Sequence, residues 1–312
     1  MSIRLITNTS KSSSFRYVSL STKNLLSEYD IDIVSVNNIS NYVSNSILIH
    51  STLYCLSKNI SADIWWTDEP MLIPNRPAKF FECNNRFKYF IAISEYYKDH
   101  VEKYFRFKVD DVVFRPYNPI ADDIYMYYKN KEYDIINIAV DDYSKRKNVD
   151  FVMDYCLSNN RVKTVFITNK FIPKRSNIVV IRTGTIDEYD KYVLISKSRF
   201  LLFPSSCESF GLPVLEAMAV GTIPIYPDTP PFNEFAEGIN IKSCMKIYTY
   251  RYGCKTIMYQ IDKNDLFDTI SYALSLNADE YNDLSNKCRE KAININREIK
   301  DKLIRWIDKI KY

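Results

Sequence analysis

The sequence predicts a protein of the α/β class with two domains, each built around a parallel sheet. Short apolar runs recur along the chain, and the run from Arg199 to Phe203 is continuous, as is typical of a strand buried on both faces of a parallel sheet. Segments with the apolar spacing of helices alternate with them, which is the order of βαβ units. A length of 312 residues suits two domains of ordinary size.

The first half of the chain shows this alternation. Predicted strands cover residues 3–6, 31–36, 46–49, 63–66 and 89–93, and predicted helices cover about 17–28 and, after a cap at Ser94, 95–105. A stretch with two prolines and two adjacent acids, Pro116 to Asp123, then predicts a stiff, polar border near residue 120. The expected domains are therefore residues 1–120 and 121–295.

The second half repeats the pattern. Predicted strands cover residues 135–140, 163–168, 178–182, 199–203 and 222–226, with helices from about 149 and over 187–197, 213–220, 265–276 and 280 onward. Between Gly238 and Ile261 the pattern indicates only strand or loop. In the last segment, about 296–312, apolar residues follow helical spacing among many lysines and arginines. Such a helix either lies on an anionic membrane or packs back on the first domain.

Composition excludes several classes of protein. The net charge of +4 is too small to indicate a nucleic-acid partner, and an odd number of cysteines, seven, without C-x-x-C spacing indicates reduced thiols rather than a disulfide framework or zinc site. No apolar run approaches the ~18 residues that span a bilayer, so we expect a cytoplasmic protein. All five glycines fall at or after Gly184, which excludes a glycine-rich dinucleotide loop or P-loop in the first half.

The stretch from Arg199 to Phe235 shows the clearest strand–loop–helix–strand pattern and has the sequence RFLLFPSSCESFGLPVLEAMAVGTIPIYPDTPPFNEF. Two carboxylates flank the predicted strand-to-helix loop: Glu208 lies inside it, and Glu216 is expected on the first turn of the helix, facing the same crevice. The amides from Phe210 to Leu212 would lie at the positive end of that helix, where an anion binds. Carboxylates beside such amides suit a ligand that carries both sugar hydroxyls and phosphates.

The run from Glu208 to Glu216 resembles the E-x7-E motif of retaining GT-B glycosyltransferases, in particular those of family 4. The resemblance implies two Rossmann-like domains with parallel sheets facing across a cleft, and a reaction that needs no metal. It also implies that Glu208 holds the hydroxyls of the transferred sugar. The expected donor-binding residues are Glu216 at the ribose, together with Ser209, Phe210, Gly211 and Leu212.

The loop after the strand at 135–140 resembles the family's diphosphate-binding pattern GRLxxxKN. Lys147 and Asn148 match it, but Asp142 stands where the family has arginine, so Arg146 or Lys145 would have to supply the second charge. The turn at Gly184 and Thr185 resembles the family's base-binding turn.

The first domain departs from the family at two places. A polar loop from Thr7 to Ser14 replaces the usual glycine-rich turn, and Asp68 or Glu69 stands where members often carry a histidine. Two roles are open for Asp68. It acts on the acceptor hydroxyl, by orienting or deprotonating it, or it caps a turn or helix before Pro70. For His50, at the end of another predicted strand, a structural role is favoured.

The resemblance implies a hexosyltransferase that uses a UDP- or GDP-sugar, without a further cofactor, and a glycan, lipid or protein-linked acceptor. Three adjacent acidic pairs, at residues 110–111, 122–123 and 141–142, offer no convincing metal motif. One alternative is a catalytically inactive binding module for a nucleotide, glycan or partner protein, which Asp142 favours. A sugar-nucleotide epimerase of the same architecture is a second alternative.

Overall fold

The structure is a computed structural model that describes residues 2–9, 14–39, 42–51, 60–68, 72–73, 86–106, 108–128, 130–139, 145–242, 244–251 and 254–311. The chain divides into two compact units. Unit 1 comprises residues 1–119, 248–257 and 295–312, and unit 2 comprises residues 120–247 and 258–294. In the described part of each unit lies a six-stranded parallel sheet, which confirms the α/β class.

In unit 1 the sheet has the order β2-β1-β3-β4-β6-β7. Its strands and the short β5 are β1 (Ile3–Thr7), β2 (Ile31–Ser35), β3 (Tyr42–Ser51), β4 (Ser61–Asp68), β5 (Leu72–Ile73), β6 (Phe87–Ala92) and β7 (Asp111–Val112). Helix α1 (Ser14–Leu25) follows β1, and α2 (Glu95–Tyr104) follows β6. Helix α1 begins and ends three residues earlier than predicted. The side chain of Ser94 caps α2 by accepting a hydrogen bond from the amide of Tyr97 at 3.0 Å.

In unit 2 the sheet has the order β10-β9-β8-β11-β12-β13. The elements are α3 (Ile120–Tyr127), β8 (Tyr133–Ala139), α4 (Val149–Ser158), β9 (Thr164–Thr168), β10 (Ile178–Arg182), α5 (Glu188–Ser196), β11 (Ser198–Leu202), α6 (Leu212–Ala219), β12 (Ile223–Pro227), α7 (Phe232–Phe235) and β13 (Ile239–Ile241). Every residue of β9 and β12 is buried, as the continuous apolar runs predict. The strand order reverses between β8 and β11, and in open α/β sheets such a switch point is where ligands bind.

The region after Gly238 holds more regular structure than the sequence indicates. Beyond β13 come β14 (Cys244–Arg251) and β15 (Cys254–Ile261), which form a separate sheet of order β14-β15-β5. Two helices follow, α8 (Lys263–Ser275) and the long α9 (Ala278–Lys311).

The predicted polar border around residue 120 is in fact helical. Helix α3 begins at Ile120, and Asp122 and Asp123 occupy its first turn, where carboxylates are favoured by the helix dipole. Arg289 donates to Asp122 at 2.6 Å. In the sequence, a first turn rich in acidic residues resembles a solvated linker. The sequence therefore does not predict this helix.

The C-terminal part of α9 belongs to unit 1. Its apolar stripe is buried there, with Ile299, Leu303 and Ile307 at most 2% exposed. Trp306 Nε1 donates to Asp111 Oδ2 at 2.8 Å, and Lys302 Nζ donates to the carbonyl of Val112 at 2.6 Å. Among the described residues, no helix is both long enough and apolar enough to cross a bilayer.

Candidate active site

Two loops meet at the switch point of the unit 2 sheet. One follows β11 and runs from Phe203 to Gly211, and the other leads from β8 into α4. Asn148 joins them because its Nδ2 donates at 2.8 Å both to the carbonyl of Pro204 and to Ser206 Oγ. The amide of Ser206 donates to the carbonyl of Arg146 at 2.7 Å. Asn148 adopts a left-handed conformation at φ 48°, which asparagine tolerates better than most residues.

Glu208 is the centre of a cluster of polar side chains between these loops. Its Oε1 accepts a hydrogen bond from Arg146 Nη1 at 2.8 Å and from Ser205 Oγ at 2.5 Å, and Lys147 Nζ donates to the same oxygen. The Glu208 side chain is only 12% exposed. The structure therefore brings together three residues that the sequence predicts for the site, and Ser205 joins them. Lys145, the alternative to Arg146, is exposed.

The cluster holds Glu208 in its ionised form. Burial alone would raise its pKa, but the charges of Lys147 and Arg146, with hydrogen bonds from Lys147 and Ser205, lower the pKa to about 2. Lys147 Nζ also lies 4.4 Å from the centre of the Phe203 ring, a cation–π contact. Two cations face one carboxylate, so the cluster carries a net positive charge that an anionic ligand would compensate.

Helix α6 begins beside the cluster. Its N-cap is Gly211, at φ 94°, and a Cβ added there would lie 2.5 Å from the Phe232 ring. Glycine is therefore required both for its backbone conformation and for space. Within the described part of the chain, the amides of Gly211 and Leu212 have no hydrogen-bond partner. They add to the positive potential at the start of the helix.

Glu216 lies in the second turn of α6, because the helix begins at Leu212. The prediction that Glu216 lies in the first turn is therefore wrong. Its side chain is 3% exposed, and Oε1 accepts from Lys191 Nζ at 2.7 Å and from Tyr192 OH at 3.5 Å. A buried carboxylate paired with a lysine is thus fixed in position, and the helix α5 supplies both of its partners.

The turn that holds Gly184 and Thr185 follows β10, at the same edge of the sheet. Gly184 is exposed at φ 85°, and a Cβ added to it would meet no atom within 4 Å. Thr185 Oγ1 donates to the carbonyl of Arg182 at 2.8 Å. These two residues are not among those that contact Glu208.

Several predicted residues fall outside the described part of the chain. They are Asp142, Glu69 and the side chains of Asp68 and His50. The backbone of Asp68 ends β4 and pairs with Ser51 of β3. Among the described residues, no three His, Cys, Asp or Glu side chains form a group that could hold a metal ion.

Two contributors to the site were missed by sequence reasoning. Ser205 stands three positions before Glu208, within Pro-Ser-Ser. This short separation along the chain is the only feature of the sequence that points to Ser205 as a partner of the glutamate. Lys191 stands 25 residues before Glu216, on a different helix, and no spacing in the sequence connects them.

Comparison with known proteins finds chains similar to this one. The family model for glycosyl transferases group 1 matches residues 174–241, a segment that includes Glu208, Glu216 and the start of α6. Two relatives come from filamentous viruses. A Sulfolobus islandicus filamentous virus protein, provisionally named glycosyltransferase 48, is 30% identical over 274 residues, which cover 83% of this chain and 86% of the relative. An Acidianus filamentous virus 2 protein, provisionally named glycosyltransferase ORF330, is 31% identical over 65% of this chain, and the match spans 62% of its own length.

Solved structures show the same fold at low sequence identity. Sucrose-phosphate synthase from Thermosynechococcus elongatus gives a TM-score of 0.64 with 11% identity, covering 99% of both chains. The pneumococcal O-GlcNAc transferase GtfA, solved with UDP and GlcNAc, gives 0.53 with 11% identity, covering 86% of this chain and 57% of GtfA. The fold is therefore GT-B. Because the viral protein at 30% identity matches along most of both chains, this chain belongs to the group 1 glycosyltransferase family.

Proposed function

We propose that the protein transfers a sugar from a nucleoside diphosphate donor to an acceptor hydroxyl, with retention of the anomeric configuration. The observation that carries this proposal is the Glu208 cluster: one ionised carboxylate, two cations and a hydroxyl, held at the switch point of the unit 2 sheet. A sugar offers hydroxyls that donate to a carboxylate, and a diphosphate offers oxygens that accept from lysine and arginine. A nucleotide sugar is the ligand class that satisfies both halves of the cluster.

Lys147 and Arg146 are assigned to the diphosphate. Without a ligand, Glu208 compensates their charge, and buried cations need such compensation. When a donor binds, the phosphate oxygens replace the carboxylate as partners of the cations, which leaves Glu208 to accept from the sugar hydroxyls. The amides from Phe210 to Leu212 supply further donors. The charge of the leaving group grows in the transition state, so these contacts strengthen as the bond breaks.

Glu216 is assigned to the ribose hydroxyls, and Lys191 is assigned the role of positioning it. The ion pair at 2.7 Å holds the carboxylate in one orientation within a nearly closed environment. Since Lys191 uses Oε1, the other carboxylate oxygen is the one assigned to the ribose. The Gly184 turn, at the same sheet edge, is assigned to the base, and Ser209 lies beside the donor amides.

The reaction needs no metal in this proposal, because two side-chain cations and a helix N-terminus provide the positive charge. A donor phosphate oxygen accepts the proton of the acceptor hydroxyl during front-face attack, and Asp68 is proposed to orient that hydroxyl. A hexose from a UDP-sugar is the first donor to test, since GtfA was solved with UDP and GlcNAc. The acceptor class is a glycan, lipid or protein-linked hydroxyl.

The test begins with nucleotide binding, measured by calorimetry with UDP, GDP, ADP and dTDP in EDTA. Lys147→Ala is compared with Lys145→Ala, its matched control, because Lys145 is an exposed lysine of the same loop. With the nucleotide that binds, the matching sugar donors are supplied with candidate acceptors, and NMR reads the anomeric configuration of the product. We expect Lys147→Ala to lower turnover more than donor affinity, and Lys145→Ala to change neither. Normal turnover by Lys147→Ala, or an inverted product, contradicts the proposal.

A further inference from the structure

Unit 2 contains a cavity at the opposite edge of its sheet from the Glu208 cluster. Its volume is about 470 Å³, within the range of roughly 300–1,000 Å³ that is usual for small-molecule sites. Arg199 lines it at the start of β11, Gly221 lines it just before β12, and Lys131 lines it just before β8. The five residues of β11 at ~3.3 Å each separate the two edges by roughly 16 Å, so this cavity is distinct from the proposed donor site.

The charge of this cavity is positive. Lys131 and Arg199 are its charged lining residues among those described, and none of the lining residues is acidic. Lys131 Nζ donates to the carbonyl of Ser196 at 2.7 Å and to Thr222 Oγ1 at 3.4 Å, both neutral groups, and no carboxylate lies within 4.0 Å of it in the described part of the chain. Burial lowers the pKa of Lys131 to about 8. A cation in this setting lacks the compensation that buried charges ordinarily have.

Arg199 contributes a second cation in a fixed orientation. Its guanidinium lies 5.4 Å from the centre of the Tyr281 ring and 5.2 Å from that of Phe200, and its nearest carboxylate oxygen, on Asp134, is 3.8 Å away. Tyr281 OH donates to the Arg199 carbonyl at 3.1 Å, which fixes the ring. The long distance to Asp134 leaves the guanidinium able to take a better anionic partner.

The remaining walls suit a hydroxylated ring. Tyr125 and Tyr281 present aromatic surface, and Asn282 presents an amide from α9. On the same face of α9, Ser285 donates to the Gly221 carbonyl at 2.6 Å, which leaves its oxygen as an acceptor. Gly221 makes room for Tyr125, because a Cβ at that position would lie 2.8 Å from the tyrosine ring. Aromatic rings pack against the apolar faces of sugars, and amides and hydroxyls pair with their hydroxyl groups.

We infer that this cavity is a second ligand site for a sugar that carries one phosphate group, with the phosphate on Lys131 and Arg199 and the ring among the tyrosines and Asn282. The same chemistry is offered by a free sugar phosphate and by the ribose phosphate of a nucleoside monophosphate. The simpler role for Lys131, capping the C-terminal end of α5 through Ser196 with a longer contact to Thr222, uses two of its three N–H groups and does not explain the cavity beside it.

Calorimetric titration with glucose 6-phosphate, UMP and glucose tests this inference. The proteins compared are the parent chain, Lys131→Met, Asn282→Trp and Lys147→Ala, with a matched control described below. Asn282 is exposed, so tryptophan there fills the cavity without disturbing Lys131. We expect a phosphorylated probe to bind the parent chain and Lys147→Ala alike, glucose not to bind, and Kd to rise at least about tenfold in the first two variants.

Comparison of the affinities for glucose 6-phosphate and UMP distinguishes the two candidate ligand classes. Preference for glucose 6-phosphate indicates a free sugar phosphate, and preference for UMP indicates a nucleoside monophosphate. Either result supports the site when Asn282→Trp weakens that binding, because UMP can also enter the proposed donor site. Four results overturn it: no binding to the parent chain at millimolar concentration, unchanged binding to Lys131→Met, unchanged binding to Asn282→Trp, or loss of binding in Lys147→Ala instead. Lys197→Met is the matched control, because that lysine lies on the same edge but pairs with Glu132 outside the cavity.

Discussion

Replacement of Glu208 by glutamine removes the charge of the cluster's carboxylate while keeping its size. In the parent chain, folding lowers the pKa of Glu208 from 4.5 to about 2. A shift of this size corresponds to ~3 kcal/mol of folding free energy at neutral pH. Because the pKa in the folded state is the lower one, this contribution is complete above the unfolded value of 4.5 and disappears as pH falls through about 2.

The measurable quantity is the difference in free energy of unfolding between the parent chain and Glu208→Gln as a function of pH. Linkage predicts that this difference shrinks by about 2 kcal/mol between neutral pH and about pH 3, while protonation of other carboxylates is common to both proteins and cancels. Glu208 belongs to unit 2, but all three tryptophans, Trp65, Trp66 and Trp306, belong to unit 1. Tryptophan fluorescence would therefore report the unfolding of unit 1. Urea unfolding should therefore be followed by far-ultraviolet circular dichroism.

The matched control is Glu132→Gln, which breaks an ion pair of similar length, 2.9 Å to Lys197, on a side chain that is 51% exposed. Exposed pairs contribute ~0–1 kcal/mol, so we expect its difference curve to be small and nearly flat. A Glu208→Gln curve as flat as that of the control would refute the assignment of a strongly stabilised carboxylate to this cluster.

Three further predictions concern the same unit. Lys191→Met should weaken nucleotide binding about tenfold and Lys191→Arg much less, as measured by calorimetry, because the methionine leaves Glu216 buried without its cation; equal affinity in both variants would exclude a positioning role. Gly211→Ala should lower the free energy of unfolding by about 2 kcal/mol or more in urea, since alanine there is strained at φ 94° and meets Phe232; Gly184→Ala, with the same strain but open space, should cost less. Sugar transfer should survive EDTA, and a loss of activity that manganese restores would show that the side-chain cations are not sufficient.

The sequence indicates the strands of both sheets well because most of them are buried on both faces. Each of the strands β8, β9, β11 and β12 contains a short, mainly apolar run between polar segments, and such runs are typical of strands inside a parallel sheet. The two-residue strands β5 and β7 are too short to show any periodicity, so the sequence does not predict them. The bounds of helices shift by a few residues because ends depend on local capping.

The candidate site is less accessible to sequence reasoning. The closeness of Lys147 to Glu208, 61 residues later, follows from the rule that loops after neighbouring parallel strands share one edge, and that rule applies once β8 and β11 are paired. The burial of Glu216 beneath Lys191 has no such rule behind it. It depends on how α5 packs against α6. Because Lys191 and Glu216 are both charged, the sequence alone suggests that they are exposed to solvent.

The division of the chain into units also bears on how the protein is made. Unit 1 draws on three separate segments, and the last of them, from residue 295, is translated only after all of unit 2. Leu303 and Ile307 complete the core of unit 1, so the N-terminal sheet leaves the ribosome with apolar surface that has no cover. The usual order of folding during synthesis is thereby reversed: the unit translated later is the one able to finish first. A nascent chain of this protein is a candidate for chaperone binding at its own N-terminal half.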